Sequence, residues 1–137
     1  MPTIPIPSSA ALLAPGVYVE EVDPGSVDMP PIARETARAA LNQICQRELA
    51  LFVFEANVPS TWAQIVLSMR GHLVMLWCKD ALQGRNVQEA FFIRCDDTTM
   101  AQEDRQNGTL ICLVGMAPVR PSEFVIFRIR IRLHPRP

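Results

Sequence analysis

Four cysteines (Cys45, Cys78, Cys95 and Cys112) and two histidines (His72 and His134) are the side chains of this sequence with the widest range in metal binding and nucleophilic chemistry. Zinc modules and dithiol redox centres bring cysteines close in sequence as CxxC, and no such pair occurs here. Each cysteine sits instead within an apolar stretch (NQICQREL, VMLWCKD, FFIRCDD, TLICLVG), where a reduced thiol acts as a small buried hydrophobe, as a reducing compartment favours. Asp96, Asp97, Glu103 and Asp104 form a carboxylate cluster able to attract a divalent cation. The cluster lacks the alternating ligands and central glycine of a calcium loop, so it reads as a solvated turn. His72 has no nucleophile in a recognised motif beside it, and GxSxG, HExxH, Walker and GxGxxG patterns are all absent. Nothing supports an active site, and no cofactor is implied.

The remaining chemistry is charge, and it is unevenly placed. The 13 Lys and Arg nearly balance 14 Asp and Glu, for a net charge of -1, which excludes nucleic-acid binding by overall charge. Residues 1–28 carry Glu20, Glu21, Asp23 and Asp28 without one Lys or Arg, whereas residues 124–137 carry Arg128, Arg130, Arg132 and Arg136 without one carboxylate. Opposite ends attract, within a molecule or between copies. The run of three arginines has three readings: a phosphate-binding face, disfavoured because no aromatic residues interleave for stacking; a cationic guard on an exposed sheet edge; and a mate for an acidic protein surface.

These charges must be positioned by elements legible in the pattern. The first fifteen residues hold four of the 12 prolines and read as an extended arm. Gly16–Val22 is rich in β-branched and aromatic residues and precedes the turn signal Asp23-Pro24-Gly25-Ser26, so it predicts one short, solitary strand. Ala37, Ala40, Leu41, Ile44 and Cys45 recur at helical spacing between Ile32 and about Leu49. Leu51–Phe54 is a short apolar run, either a buried strand or an extended segment. Thr61 and Gln64 have capping-box spacing and open a second helix lined by Trp62, Ile65, Val66, Met69, Leu73, Leu76 and Trp77 down to about residue 80, and Gly84 breaks the pattern beyond it. Strands follow at Ala90–Cys95 and Leu110–Val114, the latter central in its sheet, with Asn107-Gly108 as a turn. From Phe124, FVIFRIRIRL alternates Phe127, Ile129, Ile131 and Leu133 with Arg128, Arg130 and Arg132, a long strand with one apolar and one cationic face. No uninterrupted apolar run approaches the ~20 residues of a membrane span, and the N-terminus lacks a basic export start, which predicts a soluble, non-membrane chain.

Two blocks of sequence resemble the contractile tail sheath proteins of bacteriophages and related injection machines. The first is APGVYVEEVDPGS at Ala14–Ser26. The second comprises FVFEANVPSTW at Phe52–Trp62, ALQG at Ala81–Gly84, AFFIRCDDTTM at Ala90–Met100 and NGTLICLVGMAPVRPSEFVIFRI at Asn107–Ile129. With the intervening helix, the second block covers about 38–131. Sheath subunits of this family insert outer domains between their N-terminal arm and C-terminal domain, and here about a dozen residues join the two.

The resemblance implies the inner layer of a sheath, in which terminal strands extend into neighbouring subunits and complete their sheets. Residues 1–31 are then an N-terminal arm with one strand, 32–122 a compact domain, and 123–137 a C-terminal strand arm. The expected fold is α+β, two principal helices packed on a small mixed β-sheet completed by exchanged strands. The expected inter-subunit residues are Val17, Tyr18, Val19, Glu20 and Glu21 at one end. At the other they are Phe124, Val125, Ile126, Phe127, Arg128, Ile129, Arg130, Ile131 and Arg132. The implied partners are copies of itself in a homopolymer, a tail tube and a baseplate, without membrane or nucleic acid. The implied setting is the virion tail, or assembly in the bacterial cytoplasm. A lone N-terminal strand and a long C-terminal one both favour strand addition to a sheet edge. The function expected is that of a non-enzymatic, self-assembling sheath subunit, with a non-propagating cap, initiator or small binding module as the alternative.

Overall fold

Two proline-started helices lie against one face of an antiparallel sheet in the computed structural model, which describes residues 11–14 and 16–134. The proline-rich stretch 1–10 of the expected arm lies outside the described residues. Helix α1 (Pro31–Glu48) begins with proline in its first turn, where the missing N–H has no intrahelical partner to lose, and buries Ala37, Leu41, Ile44 and Cys45. Helix α2 (Pro59–Cys78) starts the same way and buries Thr61, Trp62, Ile65, Met69 and Leu73, with Val66, Leu76 and Trp77 packed at the rim. The expected capping box is not formed. Pro59 starts α2 two residues before Thr61, with Val58 as N-cap, and Thr61 is buried in the first turn.

The helix ends at Cys78, close to the expected end near residue 80. Asp80 takes the left-handed conformation (φ 62°), its N–H donating to the Trp77 carbonyl at 3.0 Å while Ala81 N–H donates to Leu76 O at 2.9 Å. That pair of bonds closes the last turn in the Schellman manner. Leu51–Phe54, expected to be extended, lies within a 3₁₀ turn (Ala50–Phe54) that buries Val53 and leaves Leu51 and Phe54 exposed. One buried residue in the run is too few to hold a strand.

The sheet comprises β1 (Ala11–Ala14), β2 (Val17–Asp23), β3 (Phe91–Arg94), β4 (Thr109–Met116) and β5 (Val125–Arg132), in the spatial order β1-β2-β5-β4-β3. The short helices α3 (Val87–Ala90) and α4 (Gln102–Gln106) lead into β3 and β4. The expected α+β class holds, and the described pairings are antiparallel throughout rather than mixed. Strands β3, β4 and β5 form a meander, and the β1–β2 hairpin is laid along the free side of β5. The N-terminal strand is therefore not solitary: β2 has a ladder on each side. Gly16 (φ +85°) permits the hairpin turn, because a Cβ there would stand 3.0 Å from Arg132 O and 3.2 Å from Val53 Cγ1.

Strand β5 shows the alternation its sequence predicts. Val125, Phe127, Ile129 and Ile131 are fully buried toward the helices, while Ile126 and the arginines between them are partly exposed on the opposite face. Each fully buried side chain of this size contributes about 1.5–3 kcal/mol, so β5 supplies a large share of the core. Strand β4 is buried at every position except Leu113.

On the outer face Phe92 lies opposite Gly115 and meets Phe124 edge-on at 5.2 Å. A Cβ on Gly115 would fall 2.0 Å from Phe92 Cε2. Gly115→Ala is expected to cost about 1–3 kcal/mol in denaturant unfolding, and less in a Phe92→Ala background. An unchanged midpoint for the single variant would show that the ring moves aside freely.

Candidate assembly site at the paired terminal strands

The two segments with assembly chemistry lie side by side. Val17, Tyr18, Val19, Glu20 and Glu21 all belong to β2, and Val125 through Arg132 make up β5, with Phe124 just before it. Their ladder sets Val17 against Ile131, Tyr18 against Arg130, Val19 against Ile129, Glu20 against Arg128 and Glu21 against Phe127. Val17 and Val19 thus meet apolar partners on the helix side, and Tyr18 and Glu20 meet arginines on the other.

Glu20 and Glu21 are consecutive, so the pleat sends them to opposite faces. Each finds two arginines. On the outer face Arg128 Nη1 and Arg130 Nη2 lie 3.0 and 3.2 Å from Glu20 Oε1, the first directly across the ladder and the second on the diagonal. On the helix side Arg34 donates to both Glu21 oxygens, at 3.4 Å from Nε and 2.9 Å from Nη2, and Arg38 Nη2 lies 3.3 Å from Oε1. The carboxylate's hydrogen bond and charge push the Arg34 guanidinium above its ordinary value. Strand β2 is therefore pinned to β5 by one glutamate and to α1 by the next.

The charge asymmetry had marked Glu20, Glu21 and the basic strand, and Glu20 meets Arg128 and Arg130. Glu21 takes partners that sequence reasoning missed; the signal was Arg34 and Arg38, four residues apart on one face of α1. Arg132 lies opposite Thr109, beyond the acidic pair. With β2 on one side and β4 on the other, β5 is no edge strand, so edge protection does not explain its arginines. The nucleic-acid reading loses two of its three cations to Glu20.

The other candidates resolve into local structure. Asp96 Oδ1 accepts from the backbone N–H and the hydroxyl of Thr98, and Asp104 Oδ2 accepts from Ala101 N–H at 2.8 Å. The hydroxyl of Thr98 holds the Asp96 carboxyl below its ordinary value. Among the described residues no three metal-ligating side chains converge. His72 Nε2 and Ser68 Oγ each lie 2.8 Å from an oxygen of Glu48, tying α2 to α1. The Ser68 hydroxyl first, and His72 second, hold the Glu48 carboxyl below its usual range, so this link is complete near neutral pH and is lost as acid protonates the carboxylate. Cys45, Cys95 and Cys112 are buried as expected, but Cys78 is exposed at the end of α2, one position off the apolar stripe.

No protein-family model matches the chain, and no curated protein matches it in sequence. Among solved structures, it matches a chain of the anti-feeding prophage (AFP) baseplate, determined with six-fold symmetry, with TM-score 0.59 and 38% identity over 67% of this chain. It also matches a chain of the PVC sheath complex of an extracellular contractile injection system in its contracted state, with TM-score 0.58 and 30% identity over 67% of this chain. The protein is related to components of contractile injection systems. In both cases the match spans 26% of the other chain, so the whole of those proteins is not represented here. Among the described residues no helix is long and apolar enough to cross a membrane.

Burial separates the two glutamates energetically. Glu20 is 7% exposed and Arg130 14% at the side chain, whereas Arg34 and Arg38 are 33% and 45% exposed. Glu20→Ala, which leaves Arg130 largely buried without its carboxylate, is expected to lower unfolding stability by about 2–3 kcal/mol. Glu21→Ala is expected to cost less, since water reaches both of its arginines. Urea titration of the two variants gives the order, and an equal or reversed order would place the principal pin at α1.

Proposed function

We propose that this chain is a non-enzymatic structural subunit of a contractile sheath or sheath-like tube, polymerising with its own copies through donated N- and C-terminal strands. The observation that carries the reading is the register of β2 on β5, in which apolar and charged partners match on opposite faces of one ladder. Nothing in that ladder requires both strands to come from one molecule. The linker 24–30 separates β2 from α1, and the connection 117–124 separates β4 from β5. Seven extended residues reach roughly 25 Å, enough to seat β2 on a neighbour while α1 stays with its own domain. Exchange of an identical element between copies is a low-cost route to assembly, because the contacts made between molecules repeat those made within one.

In such a lattice the linkers act as hinges between rigid domains, and a change of helical arrangement keeps the strand links intact. The further partners of this reading are a tube protein inside the sheath and a baseplate from which growth starts. The setting is the assembled particle or the bacterial cytoplasm where it is built. A second reading, a sheath-like cap or initiator that does not propagate, is favoured by the likeness to a baseplate chain. Particle length separates the two.

Two variants distinguish exchange from closure within a chain. Glu20→Arg reverses β2 alone, and Arg128→Glu with Arg130→Glu reverses β5 alone. Each by itself mispairs every link and is expected to lose long particles in negative-stain micrographs and sedimentation. Their equimolar mixture restores alternating links, and particles should return. If the mixture stays unassembled while one chain carrying all three substitutions assembles, the ladder forms only within a molecule. Short, uniform particles from the unaltered chain would favour the cap.

A further inference from the structure

The register of β3 on β4 carries an inference independent of assembly. The described pairs run from Phe91 opposite Met116 to Arg94 opposite Leu113, so the next step of the same ladder sets Cys95 against Cys112. Ala117 N–H donates to Ala90 O at 2.9 Å, one of the two bonds of a hydrogen-bonded pair, which sets the phase of the ladder at Ala90 and Ala117. Hydrogen-bonded and non-hydrogen-bonded pairs alternate along an antiparallel ladder, and counting from Ala90 puts Cys95 and Cys112 in a non-hydrogen-bonded position. Cys95 lies one residue past the end of β3; in a regular ladder the Cα atoms of such a pair are about 4.5 Å apart with side chains at their closest, within the span a disulfide bridges.

The surroundings fix the pair. Thr99 Oγ1 donates to the carbonyl of Ile111 at 2.6 Å and accepts from Asp96 N–H at 3.2 Å, holding the turn that follows Cys95 against β4 beside Cys112. Both cysteines face the helices, as Phe91, Val114 and Met116 do, and both are free and buried, with Cys95 8% exposed and Cys112 fully buried. The Cys95 thiol first, and burial second, push the Cys112 thiol well above its ordinary value.

We propose that Cys95 and Cys112 form a latent cross-strand disulfide site that staples the edge strand β3 to β4 when the protein meets an oxidising medium. The oxidant is a small-molecule disulfide of the glutathione class. The Cys95 thiolate, the more exposed of the two, attacks one of its sulfurs, breaking that S–S bond and releasing one small thiol. Cys112, after losing its proton, attacks Cys95 Sγ and expels the second. One protein S–S bond forms, the two protein thiols are oxidised and one external disulfide is reduced to two thiols. The bond locks β3, only 4 residues long and paired on one side among the described residues.

The test incubates the folded, unaltered chain with oxidised glutathione and maps its thiols by non-reducing mass spectrometry. Cleavage at Arg105 separates the two cysteines in sequence. The expected result is a peptide pair joined through Cys95 and Cys112, with their two thiols lost of the four in the chain and a rise in the thermal midpoint that a reductant reverses. Cys78→Ser should keep the joined pair, and Cys95→Ser should abolish both the pair and the rise; Cys95, at the rim, is preferred to the fully buried Cys112 as the variant. Glutathione added only at Cys78, a dimer joined through Cys78, or a bridge from Cys45 to Cys112 would each overturn the proposal.

Discussion

Strand β5 can occupy only one place. One of its faces is fully apolar and the other bears three arginines, and both of its backbone edges are laddered, so a shift by one residue would put guanidinium groups into the core. That constraint sets the rest. It fixes the register of β4 on one side and β2 on the other. It also presents a level apolar surface, Val125 to Ile131, on which α1 and α2 rest. Charge then refines what burial dictates: Glu20 and Glu21 each meet two arginines only when β2 lies in the register its valines already select.

Much of this was legible because period carries the information. The helical stripe from Ala37 to Cys45, the alternation from Phe127 to Ile131 and the buried run around Cys112 are written in residue spacing, and the structure repeats them. Elements decided by a single backbone conformation were not legible. Leu51–Phe54 has strand composition yet curls into a 3₁₀ turn, and although the end of α2 near residue 80 was legible, the positive φ of Asp80 that closes it was not announced by the local sequence. The capping signal at Thr61 lost to Pro59, whose ring starts the helix earlier.

The candidate site divides along the same line. Opposite charge at the two termini led to Glu20, Arg128 and Arg130. The partners of Glu21 depended on the distance between a strand and a helix, which no pattern within either element records. The cysteines were read one by one as packing, and the relation between Cys95 and Cys112 exists only in a ladder register. Pairwise relations across elements are what the structure adds.

Closure of the sheet by the chain's own β2 has a kinetic side. A strand tethered beside its slot occupies it at an effective concentration on the order of millimolar, far above that of free copies in a cell. Exchanging it for a neighbour's strand makes the same ladder again, so the swap by itself yields little free energy and must first open what is closed. If strands are exchanged as proposed, isolated copies start growth slowly, and a surface that already offers an empty slot speeds it. On that reading, whatever provides the first open edge sets how soon a polymer begins.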